Sequence, residues 1–71
     1  MEIKFTNHAK YRALERKIKI DDIKLVLKNP DYYGYTFDNK IVARKLTGGK
    51  TLEVVYTKIK SEILIITIYF L

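Results

Sequence analysis

His8, Arg12 and Arg16 recur at intervals of four residues. On an α-helix each such step advances the side chain by about 40°, so the three share one stripe. An imidazole in the first turn of a helix meets the positive end of the backbone dipole. That favours its neutral form and suits it to accept a proton near neutral pH. Two guanidinium groups further along the stripe can hold a phosphate through paired hydrogen bonds. The same spacing also describes a solvated helix face whose arginines pair with Glu15 or with acids elsewhere in the chain. Arg44 and Tyr69 join the set by residue type. Adjacent residues of a strand point to opposite faces, so Arg44 and Lys45 cannot both line one sheet surface. If Ile41 and Ala43 face the helices, Arg44 lies on the open side, although Val42 and Leu46 leave that assignment open. Tyr69 can stack on a base or donate a hydrogen bond to a phosphate, or simply pack on a partly covered sheet.

Two other groups carry less information. Tyr32, Tyr33 and Tyr35 interleave with Lys28, Lys40 and Lys45, a mixture suited to stacking bases on a basic surface, yet tyrosine is also a favoured strand residue. Gly48-Gly49-Lys50 lacks the longer glycine spacing and the following helix of a phosphate loop, and reads as a hairpin turn.

The elements that must position these groups follow from periodicity and punctuation. Glu2 to Phe5 alternates polar and apolar, and Thr6 offers an oxygen as N-cap. A first helix is expected from about Asn7 to Lys17, with Ala9, Ala13 and Leu14 on its packing face. Ile18 to Ile20 reads as a turn. Asp21 and Asp22 complement the dipole of a second helix, in which Ile23, Val26 and Leu27 follow the i, i+3, i+4 rule. Asn29-Pro30 ends it at about Lys28, because the residue before proline is pushed out of the helical region. Strands are expected over Tyr32 to Phe37, Lys40 to Thr47, Thr51 to Lys58 and Ile63 to Phe70, joined at Asp38-Asn39, Gly48-Gly49 and Lys60-Ser61-Glu62. In the last strand Leu64, Ile66, Ile68 and Phe70 form the expected core set, with Thr67 and Tyr69 on the other side. The order β-α-α-β-β-β-β predicts an α+β domain, two N-terminal helices packed on one face of an antiparallel sheet.

Seventy-one residues, 48% of them hydrophobic, allow one core and one domain over residues 1–71. With no cysteine and a single histidine, disulfide frameworks, thiol catalysis and Cys-ligated zinc are out, and neither a metal site nor a cofactor is expected. A net charge of +6 favours an anionic partner, nucleic acid first, though scattered lysines also serve solubility alone. Met1-Glu2-Ile3-Lys4 has none of the apolar run of a secretory signal, and Ile63 to Leu71 is too short to span a bilayer. The expectation is a cytoplasmic protein without a membrane partner.

Phe5-Thr6-x-His8-Ala9, Arg12, Glu15-Arg16, Ile18, Asp22-Ile23, Val26-Leu27, Asn29-Pro30, Val54-Val55-Tyr56 and Ile66-Thr67-Ile68-Tyr69 carry a likeness that runs from Ile3 to Tyr69. The chain resembles the small domains of unknown function grouped as family 4258 within the RelE-like toxin superfamily, and also BrnT-type toxins. The resemblance implies a RelE-like sheet and helix pair. It also implies a metal-independent ribonuclease of the mRNA interferase type, neutralised by a cognate antitoxin protein. Such enzymes use arginine, lysine, histidine or tyrosine groups to activate a ribose 2′-hydroxyl and stabilise charge on the scissile phosphate. By motif His8, Arg12 and Arg16 carry over, with Arg44 and Tyr69 matched more loosely. Lys17 stands where the family pattern commonly has Gly, and Lys19 where a Ser-like cap is common.

The reading is therefore an RNA-cleaving domain with His8 as general base or acid, Arg12, Arg16 and Arg44 stabilising the phosphorane-like transition state, and Tyr69 positioning substrate. Its rivals are a non-catalytic RNA- or DNA-binding module on the same surface, and a protein-interaction domain whose strand edge or helix groove takes an acidic partner segment.

Overall fold

A computed structural model describes residues 2–71. Strand β1 (Glu2–Phe5) leads into helices α1 (Asn7–Glu15) and α2 (Ile20–Lys28), followed by β2 (Tyr32–Tyr35), β3 (Ile41–Thr47), β4 (Lys50–Ile59) and β5 (Glu62–Phe70). The five strands form one sheet in the order β1-β5-β4-β3-β2. β2 to β5 make an antiparallel meander, whereas β1 pairs with β5 in parallel, with Phe5 opposite Ile65. The sheet is thus mixed at one edge, in an α+β fold with both helices against one face.

Two of the three hairpin turns fall on residues that tolerate left-handed backbone, glycine and asparagine, and the third puts Lys60 there. Gly48 and Gly49 sit at φ 56° and 84°, the pair of positive values that a two-residue hairpin matching strand twist requires. Asn39 (φ 65°) and Lys60 (φ 56°) turn the other two hairpins.

Alternation along the meander puts Ile41 and Ala43 of β3, and Leu52, Val54 and Tyr56 of β4, on the helix side, where they meet Ala9, Ile23 and Val26. In β5 the rhythm changes. Val55 pairs with Thr67 but Tyr56 pairs with Ile65, so Ile66 is an extra residue, a β-bulge. The helix-side set is therefore Ile63, Ile65, Ile68 and Phe70, rather than the expected Leu64, Ile66, Ile68 and Phe70. Below the bulge the expectation was one residue out of phase, because a run of apolar residues conceals where pairing slips.

Both helix ends are built from local chemistry. The Thr6 hydroxyl accepts the Ala9 N–H (3.1 Å) at the start of α1 and donates to the Ile66 carbonyl (3.0 Å), tying the helix to the bulge. At the far end the Ile18 N–H reaches the Ala13 carbonyl (2.9 Å) and the Lys17 N–H the Leu14 carbonyl (3.2 Å). This is a Schellman closure with Lys17 at φ 55°, a conformation that glycine adopts without strain. The helix consequently ends at Glu15, two residues before the expected Lys17. α2 is preceded by Lys19, which makes no side-chain cap, and carries Asp21 and Asp22 in its first turn. Among the described residues no helix is long and apolar enough to cross a membrane.

Candidate functional site

The sheet face away from the helices carries a polar row that crosses four strands. Tyr69 of β5 stands opposite Glu53 of β4, Glu53 opposite Arg44 of β3, and Arg44 opposite Tyr32 of β2. Cross-strand neighbours on one face have Cβ atoms about 5 Å apart, so side chains at these positions must interact. Glu53 is the hub. Its Oε1 accepts from Arg44 Nε at 2.5 Å and its Oε2 accepts from the Tyr69 hydroxyl. Glu53 is only 3% exposed although it lies outside the helix-covered core. A carboxyl group so sheltered needs hydrogen-bonding partners in place of its lost hydration, and Arg44 and Tyr69 supply them.

Arg44 in turn lies over the Tyr32 ring, its guanidinium carbon 4.8 Å from the ring centroid, in cation–π contact. The ring is placed by Gly34, two residues along the same face. A Cβ at Gly34 would come within 2.8 Å of the Tyr32 hydroxyl, so the missing side chain makes room for the phenol.

His8 approaches this face from the side. Strand β1 ends at Phe5, opposite Ile65, so among the described residues no strand pairs with the upper part of β5 on that edge. The Thr6 cap bonded to the bulge carbonyl fixes the start of α1 there, and His8 Nε2 comes to 3.2 Å from Thr67 Oγ1. Thr67 precedes Tyr69 by two residues on the same face, about 6.7 Å along the strand. The structure thus brings His8 to the rim of the row that holds Tyr69 and Arg44, at the sheet edge where helix layer and open face meet.

Arg12 and Arg16 go elsewhere. Arg12 Nη1 lies 3.5 Å and Arg16 Nε 3.8 Å from the same Glu15 Oε1, and the Tyr11 hydroxyl lies 3.5 Å from Glu15 Oε2. All are solvent-accessible, and Arg16 is the C-cap rather than a helical residue. The four-residue stripe therefore divides: its first member joins the open face, and its other two find their partner on α1.

Arg44, not Lys45, lines the open face. Lys45 points to the helix side and meets Asp31 at 3.3 Å. Asp31 also accepts the Leu46 N–H (3.0 Å), and this bond, with Lys45, holds its carboxyl below the usual range. The tyrosine cluster splits likewise: Tyr32 is on the open face, whereas Tyr33 and Tyr35 pack edge to face on the other, centroids 5.9 Å apart. Glu53 was not among the residues singled out from the sequence, whereas Tyr32 entered only as one of three clustered tyrosines and Thr67 only as a residue on the non-core side of the last strand. For Glu53 a signal existed, a lone acid within the apolar run Leu52 to Tyr56, but its partner depends on hairpin register.

Chemically the row offers a guanidinium and a phenol held by one carboxylate, an aromatic face beside them, and an imidazole at the rim. A phosphate arriving at Arg44 competes with Glu53 for the same donor. Among the described residues no three His, Asp or Glu side chains gather as a metal site would need. The chain matches no curated protein and no solved structure. Residues 5–70 match a family model described as a domain of unknown function, DUF4258, and the chain belongs to that family.

Proposed function

We propose that the open sheet face binds RNA and, with His8 at its rim, cleaves it as a toxin-like endoribonuclease that needs no metal. The observation that carries the reading is the contact of the imidazole with Thr67, which lies two residues before Tyr69 on the face that holds the row Tyr69, Glu53, Arg44 and Tyr32. His8 takes the proton of a ribose 2′-hydroxyl, whose oxygen attacks the adjacent phosphorus. The bond to the 5′ oxygen breaks as that oxygen takes a proton from water, leaving a 2′,3′-cyclic phosphate. Arg44 stabilises the charge that develops on the phosphoryl oxygens. Tyr69 orients the phosphate, Tyr32 offers a stacking surface, and Glu53 holds both donors in place. Arg12 on α1 and Arg16 at its C-cap, both solvent-accessible, meet flanking phosphates. The likeness to RelE-like and BrnT-type toxins supports this assignment, with an antitoxin as neutralising partner and the cytoplasm as its setting.

The test is incubation of purified protein with RNA in chelator. Wild type should cut, and His8→Ala should lower the rate by about 10²-fold or more, the usual share of a general base. Equal cutting by that variant would remove His8 from the mechanism. Expression of wild type and Arg12→Ala in a bacterium, scored for growth and RNA integrity, asks whether the helical arginines contribute.

A second reading, binding without turnover, is favoured by one observation: Arg44, Arg12 and Arg16 all have carboxylate partners within the chain. RNA retained intact, with affinity falling steeply as salt rises, would select it.

A further inference from the structure

Two cavities lie on the other side of the molecule, away from the polar row. One, of about 270 Å³, is lined by Ile3 and Phe5 of β1 and by Ile20, Ile23 and Lys24 of α2. The second, of about 290 Å³, is lined by Phe5 and Ile20 again, with Lys10, Ala13 and Leu14 of α1 and Ile18 of the turn. Because they share Phe5 and Ile20, they form one cleft whose floor is the helix side of β1 and whose walls are the two helices. Leu14 is 74% exposed at its lip and Ile20 about half exposed. Water-facing leucine and isoleucine beside concave apolar space is the mark of a surface that another chain covers. Each cavity is too small for a typical drug-sized ligand, but two adjoining hollows suit successive apolar side chains of one segment.

Charge selects the occupant. Lys10 and Lys24 stand in the cleft lining, and among the described residues neither has a carboxylate within 4.0 Å. Lys17 and Lys19 lie in the adjoining turn, against Asp21 and Asp22 at the start of α2, so cations prevail around the cleft. A second copy would bring another +6 charge to a lysine-rimmed surface, which opposes self-association. A concave cleft takes side chains in, whereas a bilayer-binding surface must project them. The hollows are lined by residues of both helices as well as of β1, which fits a helix laid beside α1 and α2 better than a strand added to the edge of β1.

We infer that this cleft is the docking site for an acidic amphipathic helix of a partner protein, which inserts apolar side chains over Phe5 and Ile20 and sets carboxylates against Lys10 and Lys24. The assignment stands apart from the RNA reading and holds whether or not the chain cuts RNA.

The probe is a synthetic helical peptide of about 15 residues, leucines on one face and glutamates on the other, followed by fluorescence anisotropy against the full chain. Binding on the order of 10 μM is expected, with amide shifts in NMR spectra confined to Phe5, Ala13, Leu14, Ile18, Ile20 and Ile23. Leu14→Asp, and Lys10→Glu combined with Lys24→Glu, should each weaken it by about tenfold or more. These side chains are exposed or at the rim, and circular dichroism verifies that the variants fold. A peptide with lysines in place of glutamates should not bind. Absence of binding at about 1 mM, equal binding of the lysine peptide, shifts that map to the Arg44 row, self-association in sedimentation, or Leu14-dependent attachment to anionic vesicles instead of the peptide would each overturn the assignment.

Discussion

Glu15 and Glu53 are each the acid around which arginine and tyrosine side chains gather, and they behave as opposites. Glu15 sits on α1 with its side chain 41% exposed and touches Arg12 and Arg16 at 3.5 and 3.8 Å. Glu53 sits on β4 with its side chain 4% exposed and meets Arg44 at 2.5 Å. In water, ion pairs of the first kind contribute about 0–1 kcal/mol, because solvent screens them and long side chains lose freedom in forming them. A sheltered carboxylate is different: its pair adds little over an apolar replacement, but removing one partner leaves a charge without solvent. The contrast teaches that similar partners, placed on a helix surface or on a sheet face, make either an adjustable fringe or a fixed scaffold.

That contrast can be broken most directly at Arg44. Arg44→Met keeps the bulk and deletes the charge, leaving Glu53 with Tyr69 alone, and should cost about 3 kcal/mol in urea unfolding. A chain of this length has total stability of only about 4–10 kcal/mol, so the variant should be visibly weakened. Adding Glu53→Gln should restore most of the loss, as expected for coupled partners. A cost under about 1 kcal/mol would mean that solvent reaches Glu53 freely and that the two acids are alike.

Next in size is the end of α1 that presents Glu15 and Arg16. Lys17→Gly relieves the left-handed strain at the Schellman position and should raise stability by about 1 kcal/mol. An unchanged unfolding midpoint would show that this helix end is not held as described. Arg12→Ala should change stability by no more than about 0.5 kcal/mol, and added salt should shrink even that. A larger loss would move Glu15 into the same class as Glu53.

The smallest expected effect concerns a third acid, Asp38, in the β2–β3 hairpin. Side-chain hydrogen bonds from Lys40 (2.8 Å) and Thr36 (2.5 Å) lower its carboxyl pKa to about 2. Since the unfolded chain binds this proton more readily, the contribution is fully present above the ordinary aspartate pKa and fades as pH falls from about 4 toward 2. Carbon NMR of the Asp38 carboxyl should give that low midpoint, and Asp38→Asn should flatten the corresponding slope of stability with pH. A midpoint in the usual aspartate range would show that this exposed pair is not held in solution.

Much of the fold was legible in local chemistry. Thr6 as N-cap, Asn29-Pro30 as helix stop and Gly48-Gly49 as hairpin turn are decisions made by a few adjacent atoms, and the structure places each where its residue type demands. The α+β arrangement with both helices on one sheet face follows from those stops and starts. Interactions between distant segments were less legible. The parallel docking of β1 on β5 joins residues about 60 positions apart. Glu53 meets Tyr69 and Arg44 only because two hairpins set their registers together, so no single-strand pattern reveals the row. The spacing of His8, Arg12 and Arg16 described a common stripe, yet the cap and bulge direct His8 to Thr67 while the other two remain with Glu15. Lys17 is a case between these: its mismatch with a glycine pattern was visible, and its positive φ is the physical reason that glycine suits the place.

The slip at Ile66 works as a change of parity. If residues 62–70 were evenly pleated, holding Ile63 and Ile65 inward would turn Thr67 and Tyr69 toward the helices and present Ile66 and Ile68 to water. One uncounted residue lets the strand close the core at its beginning and display hydroxyl groups toward its end. Anyone transplanting the row onto another sheet would have to move that offset with it.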